Sequence, residues 1–267
     1  MTIHSIMSTE LSPAQIGGKC DLLVCEIVDD LLLGESVLTT VADARRRLLR
    51  SGATILPQGG ALWAVPVEWL PPRRADLDLS DLHALVSSMV LTAQPNDSVK
   101  LQQHEPHCKQ LAPPIRLLSF DWAEAPLATL TRTSGESGSL PLHIERDGTL
   151  SAFLVYLTLD LDGDPVNVIS TGPDRREQKA WDQSARHLPV PLSVRAGDEL
   201  RVSAQHTDCF FQTIRVGGYS ADMLRADLGL PHLVANPSAQ GLTVAMEAPR
   251  RRLPRAPPRA ANQRKGK

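Results

Sequence analysis

The sequence is poor in aromatic residues, which make up 4% of its 267 positions, and it contains four cysteines. Cys20, Cys25, Cys108 and Cys209 form no CxxC pair, so we predict free thiols in a reducing compartment. The chain also lacks a signal-like start and any apolar run long enough to cross a bilayer. We therefore predict no membrane association and expect a location in the cytoplasm, the nucleus or both.

A strong net charge is also missing, because 28 basic and 30 acidic residues leave a formal charge of −2. A balanced chain makes no global case for nucleic-acid binding. Positive charge is concentrated in the Arg/Pro-rich stretch 248–267, which has too few apolar residues to fold, so we predict a disordered basic tail. Three interpretations of this tail stay open: a nuclear-localisation signal, a weak nucleic-acid contact, or a solvated tail.

The most informative stretch is residues 20–38, which read CDLLVCEIVDDLLLGESVL. Its short apolar run has the length of a buried strand and leads to Glu26. An acidic, leucine-rich loop separates Glu26 from a second carboxylate, Glu35, and a helix is expected from there to a stop at Ser51-Gly52. The carboxyl end of a parallel strand is where open α/β sheets place ligands.

Two carboxylates that face one pocket repel each other, so they need a cationic guest or a shared proton. A guanidinium group fits this requirement, because it is planar, permanently charged, and can donate two parallel N–H bonds to a carboxylate. The alternative is that Glu26 is a surface residue at a strand end and Glu35 a charge in the first turn of a helix.

This stretch, together with the later GATILPQGGALWAVPVE, resembles the double-glutamate loop region of the protein arginine methyltransferases. It is most similar to the family's seventh and ninth members, which are its monomethylating and symmetrically dimethylating branches. The similarity runs from about Ile3 to Val216 and is poor in the middle. The later run Lys179-Ala180-Trp181-Asp182-Gln183 resembles the family's Thr-His-Trp loop, with Ala180 at the histidine position.

The resemblance implies S-adenosylmethionine as the cofactor and Arg-Gly-rich proteins as substrates. Glu26 would orient the guanidinium, while Glu35 would localise its charge and help to accept its proton. Trp181 would form a flat wall of the pocket, with a barrel-core tryptophan as the alternative. Ser8 falls nearest a residue that contacts the adenine, although a polar strand end is an equal interpretation. The branches carry a second methyltransferase-like module, which implies a homodimer or a pseudo-dimer.

The resemblance also implies an α/β plus β protein. We predict three parts. Residues 1–56 are the C-terminal part of a Rossmann-like methyltransferase sheet with its double-glutamate loop. Residues 57–216 are a β-barrel substrate domain, and residues 217–267 are a linker and basic tail.

Local patterns add three predictions. Residues 1–7 alternate weakly, as in a strand, and residues 140–146 and 150–160 are expected to pair as a hairpin. Residues 160–165 resemble a calcium loop, but a hairpin turn fits them better. His104, His107 and Cys108 have the spacing HxxHC without a fourth ligand, so we predict no metal site.

A Rossmann-like methyltransferase holds its cofactor with a glycine-rich strand–turn–helix and an acidic residue on the next strand, and we find neither in this sequence. We therefore expect an incomplete gene model or a fragment. The alternative is a protein without catalysis: a barrel with a basic tail that binds protein partners or RNA, or pairs with an intact paralogue.

Overall fold

A computed structural model describes residues 2–69, 97–99, 108–127, 134–136, 138–173, 180–209, 211–220 and 223. The predictions for His104, His107, Lys179 and the basic tail lie outside these residues. Within them, no helix is long and apolar enough to span a membrane. The regular elements are β1 (Cys20–Val24), α1 (Val37–Arg47), β2 (Leu49–Leu56), β3 (Gly59–Trp69), β4 (Asp97–Val99), β5 (Cys108–Gln110), β6 (Ile115–Asp121), β7 (Ser134–Glu136), β8 (Leu140–His143), β9 (Gly148–Asp160), β10 (Val168–Ser170), β11 (Gln183–Val194), β12 (Glu199–Thr207) and β13 (Phe211–Gly217).

The first part of the chain is a strand–loop–helix–strand unit in which β1 and β2 pair in parallel. Helix α1 buries the side chains of Val37, Leu38 and Val41, whose spacing places them on one face. The prediction of a helix stop at Ser51-Gly52 was wrong, because α1 ends at Arg47 and these residues already lie in β2. Pairing with β1 begins at Leu49, so the parallel ladder overrides the local signal for a stop.

The start of the chain also differs from the expectation. Residues 2–7 form no strand, and short 3₁₀ turns follow at Ser8–Glu10 and Pro13–Ile16. Arg47 of α1 holds this segment by donating from its guanidinium to the carbonyl oxygens of Leu11, at 2.7 Å, and Ser8, at 3.1 Å. The segment is therefore fixed through its backbone to α1 instead of joining a sheet.

The second part, which is called the barrel from here on, consists of two antiparallel sheets around a common core. Strand β3 is central in the larger sheet, with β9 on one side and β6 and β5 on the other. On one side of β3 the partner strand changes from β6 to β5, and Pro66 lies at this change. A proline, which has no N–H to donate, can therefore occupy this position of a central strand. The smaller sheet contains β13, β12, β7 and β8.

One hydrophobic core runs through both parts. Leu32 and Leu33 of the loop before α1 belong to the same buried cluster as Leu62 of β3 and Phe153 of β9. The change from parallel to antiparallel pairing falls between Leu56 and Gly59, close to the predicted domain boundary, but no change of core accompanies it. The proposed division into domains stays a prediction.

The predicted hairpin of residues 140–146 with 150–160 was wrong. Strand β8 pairs with β12 in the smaller sheet, whereas β9 pairs with β3 and β11 in the larger one. The N–H groups of Glu145 and Arg146 both donate to the carbonyl of Leu111, which turns the chain from one sheet to the other. The hairpin turn predicted after Asp160 is confirmed, because β10 returns antiparallel to β9. Among the described residues no group of metal-ligating side chains occurs.

Gly60 is a contact point between β3 and the loop before α1. A Cβ atom at this position would lie 2.9 Å from Cδ1 of Leu32 and 3.0 Å from the backbone oxygen of Thr158. We expect Gly60→Ala to lower the free energy of unfolding by about 1–3 kcal/mol, because an extra methyl group overpacks the core. Gly138→Ala is the matched control, since nothing lies within 4 Å of its added Cβ. Equal urea midpoints for the two variants would contradict the expectation.

Candidate functional site

Glu26 and Glu35 mark the two ends of the loop between β1 and α1. Glu26 follows Cys25, whose N–H donates to the carbonyl of Leu56 at 3.0 Å, so the last pairing of β1 with β2 sets its position. Both glutamate side chains are exposed, and neither forms a hydrogen bond or an ion pair within the described part of the chain. Burial raises the pKa of the Cys25 thiol, and the adjacent Glu26 carboxylate raises it further.

The loop between the glutamates is rigidly anchored in the core. Leu31, Leu32 and Leu33 are at most 3% exposed. Asp29 closes the loop from inside, because its Oδ1 accepts hydrogen bonds from the N–H groups of Leu31, at 3.2 Å, and Gly34, at 2.9 Å. A Cβ atom at Gly34 would collide with the Asp29 carboxylate, so this closure requires a glycine.

The backbone of the loop is strained at two positions. Leu32 has a φ of 71° and Ser36 a φ of 63°, both in the left-handed region that residues with a Cβ rarely adopt. Such conformations persist where the surrounding structure over-determines them, and they cluster at ligand clamps and active sites. The leucine anchors and the Asp29 hydrogen bonds supply that constraint here.

Trp181 reaches this loop from the barrel. Its indole Nε1 donates to the carbonyl of Val28 at 2.9 Å, and the N–H of Asp182 donates to Oδ1 of Asp30, also at 2.9 Å. Trp181 is partly buried and packs against the main core. The structure therefore brings the Trp181 motif and the loop between the glutamates together, while the predicted stacking of Trp181 on a guanidinium stays a prediction.

Ser8, the cofactor candidate, lies in an exposed 3₁₀ turn. Its carbonyl oxygen accepts hydrogen bonds from the Arg47 guanidinium and from the N–H of Leu11. The parallel sheet contributes two strands, and within the described residues no glycine-rich turn follows a parallel strand into a helix. The described residues therefore do not fit an S-adenosylmethionine cradle by themselves.

Sequence reasoning missed the residues that hold the site in place. Asp29 and Asp30 were visible as acidic loop residues, but their hydrogen-bonding roles have no sequence signal. Arg45 of α1 was also missed, and its Nη1 donates to the carbonyl oxygens of Trp122, at 3.2 Å, and Ala125, at 2.6 Å. These bonds tie α1 to the segment that follows β6.

A separate cavity of about 360 Å³ lies on the barrel. Its lining includes Trp63, Arg116 and Asp160, and does not include Glu26, Glu35 or Trp181. It is therefore distinct from the glutamate loop.

The contact between Asp30 and the barrel can be tested by stability. We expect Asp30→Ala to lower the free energy of unfolding by about 0.5–1.5 kcal/mol, because the N–H of Asp182 loses its acceptor. Asp21→Ala is the matched control: its carboxylate is 73% exposed and pairs with Arg50, so its loss should change stability by less than about 0.5 kcal/mol. Urea denaturation of both variants measures the difference, and an Asp30 variant as stable as the wild type would contradict a fastening role.

A parallel β1–α1–β2 unit carries two exposed carboxylates at its loop, and the antiparallel part of the chain contacts that loop. This combination defines the class as α/β plus β. A family model described as "Arginine methyltransferase oligomerization subdomain" matches residues 73–210. The chain therefore belongs to the protein arginine methyltransferase family, and the predicted α/β plus β fold class is confirmed.

Individual relatives agree with this assignment. The chain is 27% identical over 224 residues to protein arginine N-methyltransferase 7 of Caenorhabditis briggsae, covering 78% of this chain and 32% of that protein. It is 28% identical over 213 residues to the arginine N(omega)-methyltransferase of Streptomyces achromogenes subsp. streptozoticus, covering 78% and 55%. The chain thus spans between about a third and just over half of the length of these relatives.

A solved structure shares the fold. It is described as the Trypanosoma brucei PRMT1 enzyme-prozyme heterotetrameric complex with AdoHcy, and it aligns with a TM-score of 0.55 at 18% identity. The alignment covers 77% of this chain and 66% of that chain.

Proposed function

We propose that this chain provides the substrate side of a protein arginine N-methyltransferase, which transfers a methyl group from S-adenosylmethionine to an arginine side chain of a protein. The observation that carries the proposal is the loop itself. Two exposed carboxylates, Glu26 and Glu35, stand at the ends of a rigidly anchored loop, and neither has a cationic partner among the described residues. Unpaired carboxylates on an anchored loop suit a planar cation such as a guanidinium.

Each residue then has a physical role. Glu26 accepts N–H bonds from the guanidinium and orients one nitrogen, so that its contribution is positioning and charge stabilisation. Glu35 localises the positive charge and accepts the proton that the substituted nitrogen releases. Trp181 offers an aromatic face for stacking while its N–H fastens the loop at Val28. Since the described residues do not build a cofactor cradle, we assign them no step in holding S-adenosylmethionine.

Binding to Arg-Gly-rich peptides tests the substrate proposal without requiring turnover. We expect calorimetry on the 267-residue chain to show at least about tenfold tighter binding for an arginine peptide than for the same peptide with lysine, because lysine cannot form the bidentate pairs. The double variant Glu26→Gln with Glu35→Gln should lose this preference. Equal affinity for the two peptides, or a preference that survives in the variant, would refute the assignment.

A second candidate function is a non-catalytic interaction protein, favoured by the parallel sheet of two strands without a cofactor cradle among the described residues. Labelled S-adenosylmethionine with an arginine peptide separates the two candidates. Methyl transfer by the chain would reject the non-catalytic function. Peptide binding without transfer would favour it for the chain acting alone.

We also propose that the protein assembles as a dimer in the cytoplasm or the nucleus. The matched family model is described as an oligomerization subdomain, and the four cysteines are free thiols. Light scattering after size-exclusion chromatography tests the dimer, and microscopy of a tagged full chain tests the location. A contact of the basic tail with nucleic acid remains a weaker proposal.

A further inference from the structure

One face of the larger sheet points away from the main core and carries the cavity on the barrel. Gly60 faces the core, where a Cβ atom would lie 2.9 Å from Cδ1 of Leu32. Since side chains alternate along a strand, Gly59, Ala61 and Trp63 lie on the opposite face. Each of them pairs with one residue of β6 and one residue of β9, and these neighbours share its face. The three flanking pairs are Asp121 with Asp160, Ser119 with Thr158, and Arg116 with Tyr156.

The end of the cavity at Gly59 is acidic. Asp121 and Asp160 stand on either side of this glycine, with Cβ atoms about 9–11 Å apart, because directly opposite residues of paired strands are about 4.5–5.5 Å apart. Oδ1 of Asp121 accepts the N–H of Glu124, and Oδ1 of Asp160 accepts the N–H of Gly163, both at 2.7 Å. Neither carboxylate forms an ion pair in the described part of the chain, so a cation can sit between them above Gly59.

The other end, at Trp63, is cationic. The Cζ atom of Arg116 lies 6.0 Å from the centroid of the indole ring, and Tyr156 stacks on the same ring at 6.3 Å with an angle of 9° between the planes. The indole Nε1 donates to Oγ1 of Thr158 at 3.0 Å, which holds the ring beside the cavity. Arg116 is exposed and, among the described residues, donates no hydrogen bond, so its guanidinium can bind an anion.

The spacing of the two ends indicates the kind of ligand. Gly59 and Trp63 are four positions apart in β3, which corresponds to about 13 Å. An extended polypeptide has the same rise per residue, and its alternate side chains lie on one face, so three of them match the three rows of the cavity. A free amino acid cannot reach both ends, and the carboxylates repel nucleic-acid phosphates. The volume of about 360 Å³ also lies within the usual range for ligand sites, about 300–1,000 Å³.

We propose that this cavity binds an extended segment of a partner protein in which a basic and an acidic residue are about four positions apart. The basic side chain lies above Gly59 and pairs with Asp121 and Asp160. The acidic side chain pairs with Arg116 beside Trp63. A small polar residue midway between them meets the hydroxyl groups at the centre of the cavity. The site shares no residue with the loop between the glutamates, so the inference goes beyond the proposed function.

Fluorescence anisotropy on the 267-residue chain tests this inference. The test peptide is Lys-Gly-Ser-Gly-Glu, with a fluorescent label and both termini blocked. One comparison peptide carries a second lysine in place of the glutamate, and another carries the lysine and the glutamate side by side. We expect the test peptide to bind at least about fivefold more tightly than either, in physiological salt, because it alone reaches both charged ends.

The role of Arg116 is tested by reversing its charge. Arg116→Glu should raise the Kd of the test peptide at least about tenfold and make the two-lysine peptide the tighter ligand. Arg195→Glu is the matched control, because Arg195 is also exposed on the barrel but does not line the cavity. A variant that fails to fold cannot gain affinity for the two-lysine peptide, so this gain separates a lost contact from a lost fold.

The acidic end is tested by removing one charge at a time. Asp121→Asn and Asp160→Asn should each raise the Kd of the test peptide at least about threefold. Asparagine loses the charge but keeps an oxygen that accepts the backbone N–H, so both turns stay intact. Asp147→Asn is the matched control, since Asp147 accepts the N–H of Ala196 in the same way, at 2.8 Å, and lies outside the cavity lining.

Three results would overturn the inference. They are an absence of binding by the test peptide, binding no tighter than that of the comparison peptides, and an unchanged peptide preference in Arg116→Glu. The test peptide contains no arginine, so its binding is independent of methyl transfer. Failure of this inference therefore leaves the proposed function standing, and failure of the proposed function leaves the peptide site standing.

Discussion

Glu26→Gln is expected to lower the rate of methyl transfer at least about a hundredfold, measured in a protein that contains the complete cofactor-binding fold. Glutamine has nearly the same shape as glutamate, but it carries no charge and can offer one oxygen to the guanidinium instead of two. The loss should fall mainly on kcat, because Glu26 is assigned the orientation of the reacting nitrogen. Transfer from labelled S-adenosylmethionine to an Arg-Gly-rich peptide measures it.

The control for this variant is Glu124→Gln. Glu124 is also an exposed carboxylate, and its backbone N–H binds the Asp121 side chain in the turn after β6. Its replacement should leave transfer unchanged. A Glu26 variant with the rate of the wild type would refute the double-glutamate assignment, while a similar loss in both variants would point to a general effect of surface charge.

Leu32→Ala should have the largest effect on stability among the loop variants. Leu32 is fully buried, and its Cδ1 lies against Gly60 of β3. Truncation of the Leu32 side chain therefore leaves a cavity between the loop and β3. We expect the free energy of unfolding to fall by about 2–5 kcal/mol. Leu22→Ala makes the same chemical change at a side chain that is 53% exposed, and it should change stability by less than about 0.5 kcal/mol.

A third variant isolates the backbone strain. Leu32→Gly also loses the buried side chain, but glycine adopts the φ of 71° without the penalty that alanine keeps. We therefore expect the glycine variant to be at least as stable as the alanine variant, which is the reverse of the usual order in regular structure. Urea denaturation of all three variants checks this, and an alanine variant within about 0.5 kcal/mol of the wild type would show that the loop is not anchored by Leu32.

Local patterns carried much of the fold. The apolar run before Glu26 is β1, although Leu22 and Val24 are exposed, and the helix expected after Glu35 is α1. Both predictions rest on residues close in sequence. The failures involve pairing partners: β8 and β9 are neighbours in sequence, yet each pairs with strands far along the chain. Nothing local distinguishes such an arrangement from a hairpin.

The residues alone predict a candidate site from two carboxylates at the ends of one loop and a tryptophan motif far downstream. That the motif contacts the loop is seen only in the folded chain. The indole of Trp181 meets the carbonyl of Val28 across 153 positions, and this contact exists because the loop leucines and the barrel strands share one core. A hydrogen bond between such distant residues depends on the packing of the whole core. The spacing of Val28 and Trp181 in the sequence therefore does not predict this bond.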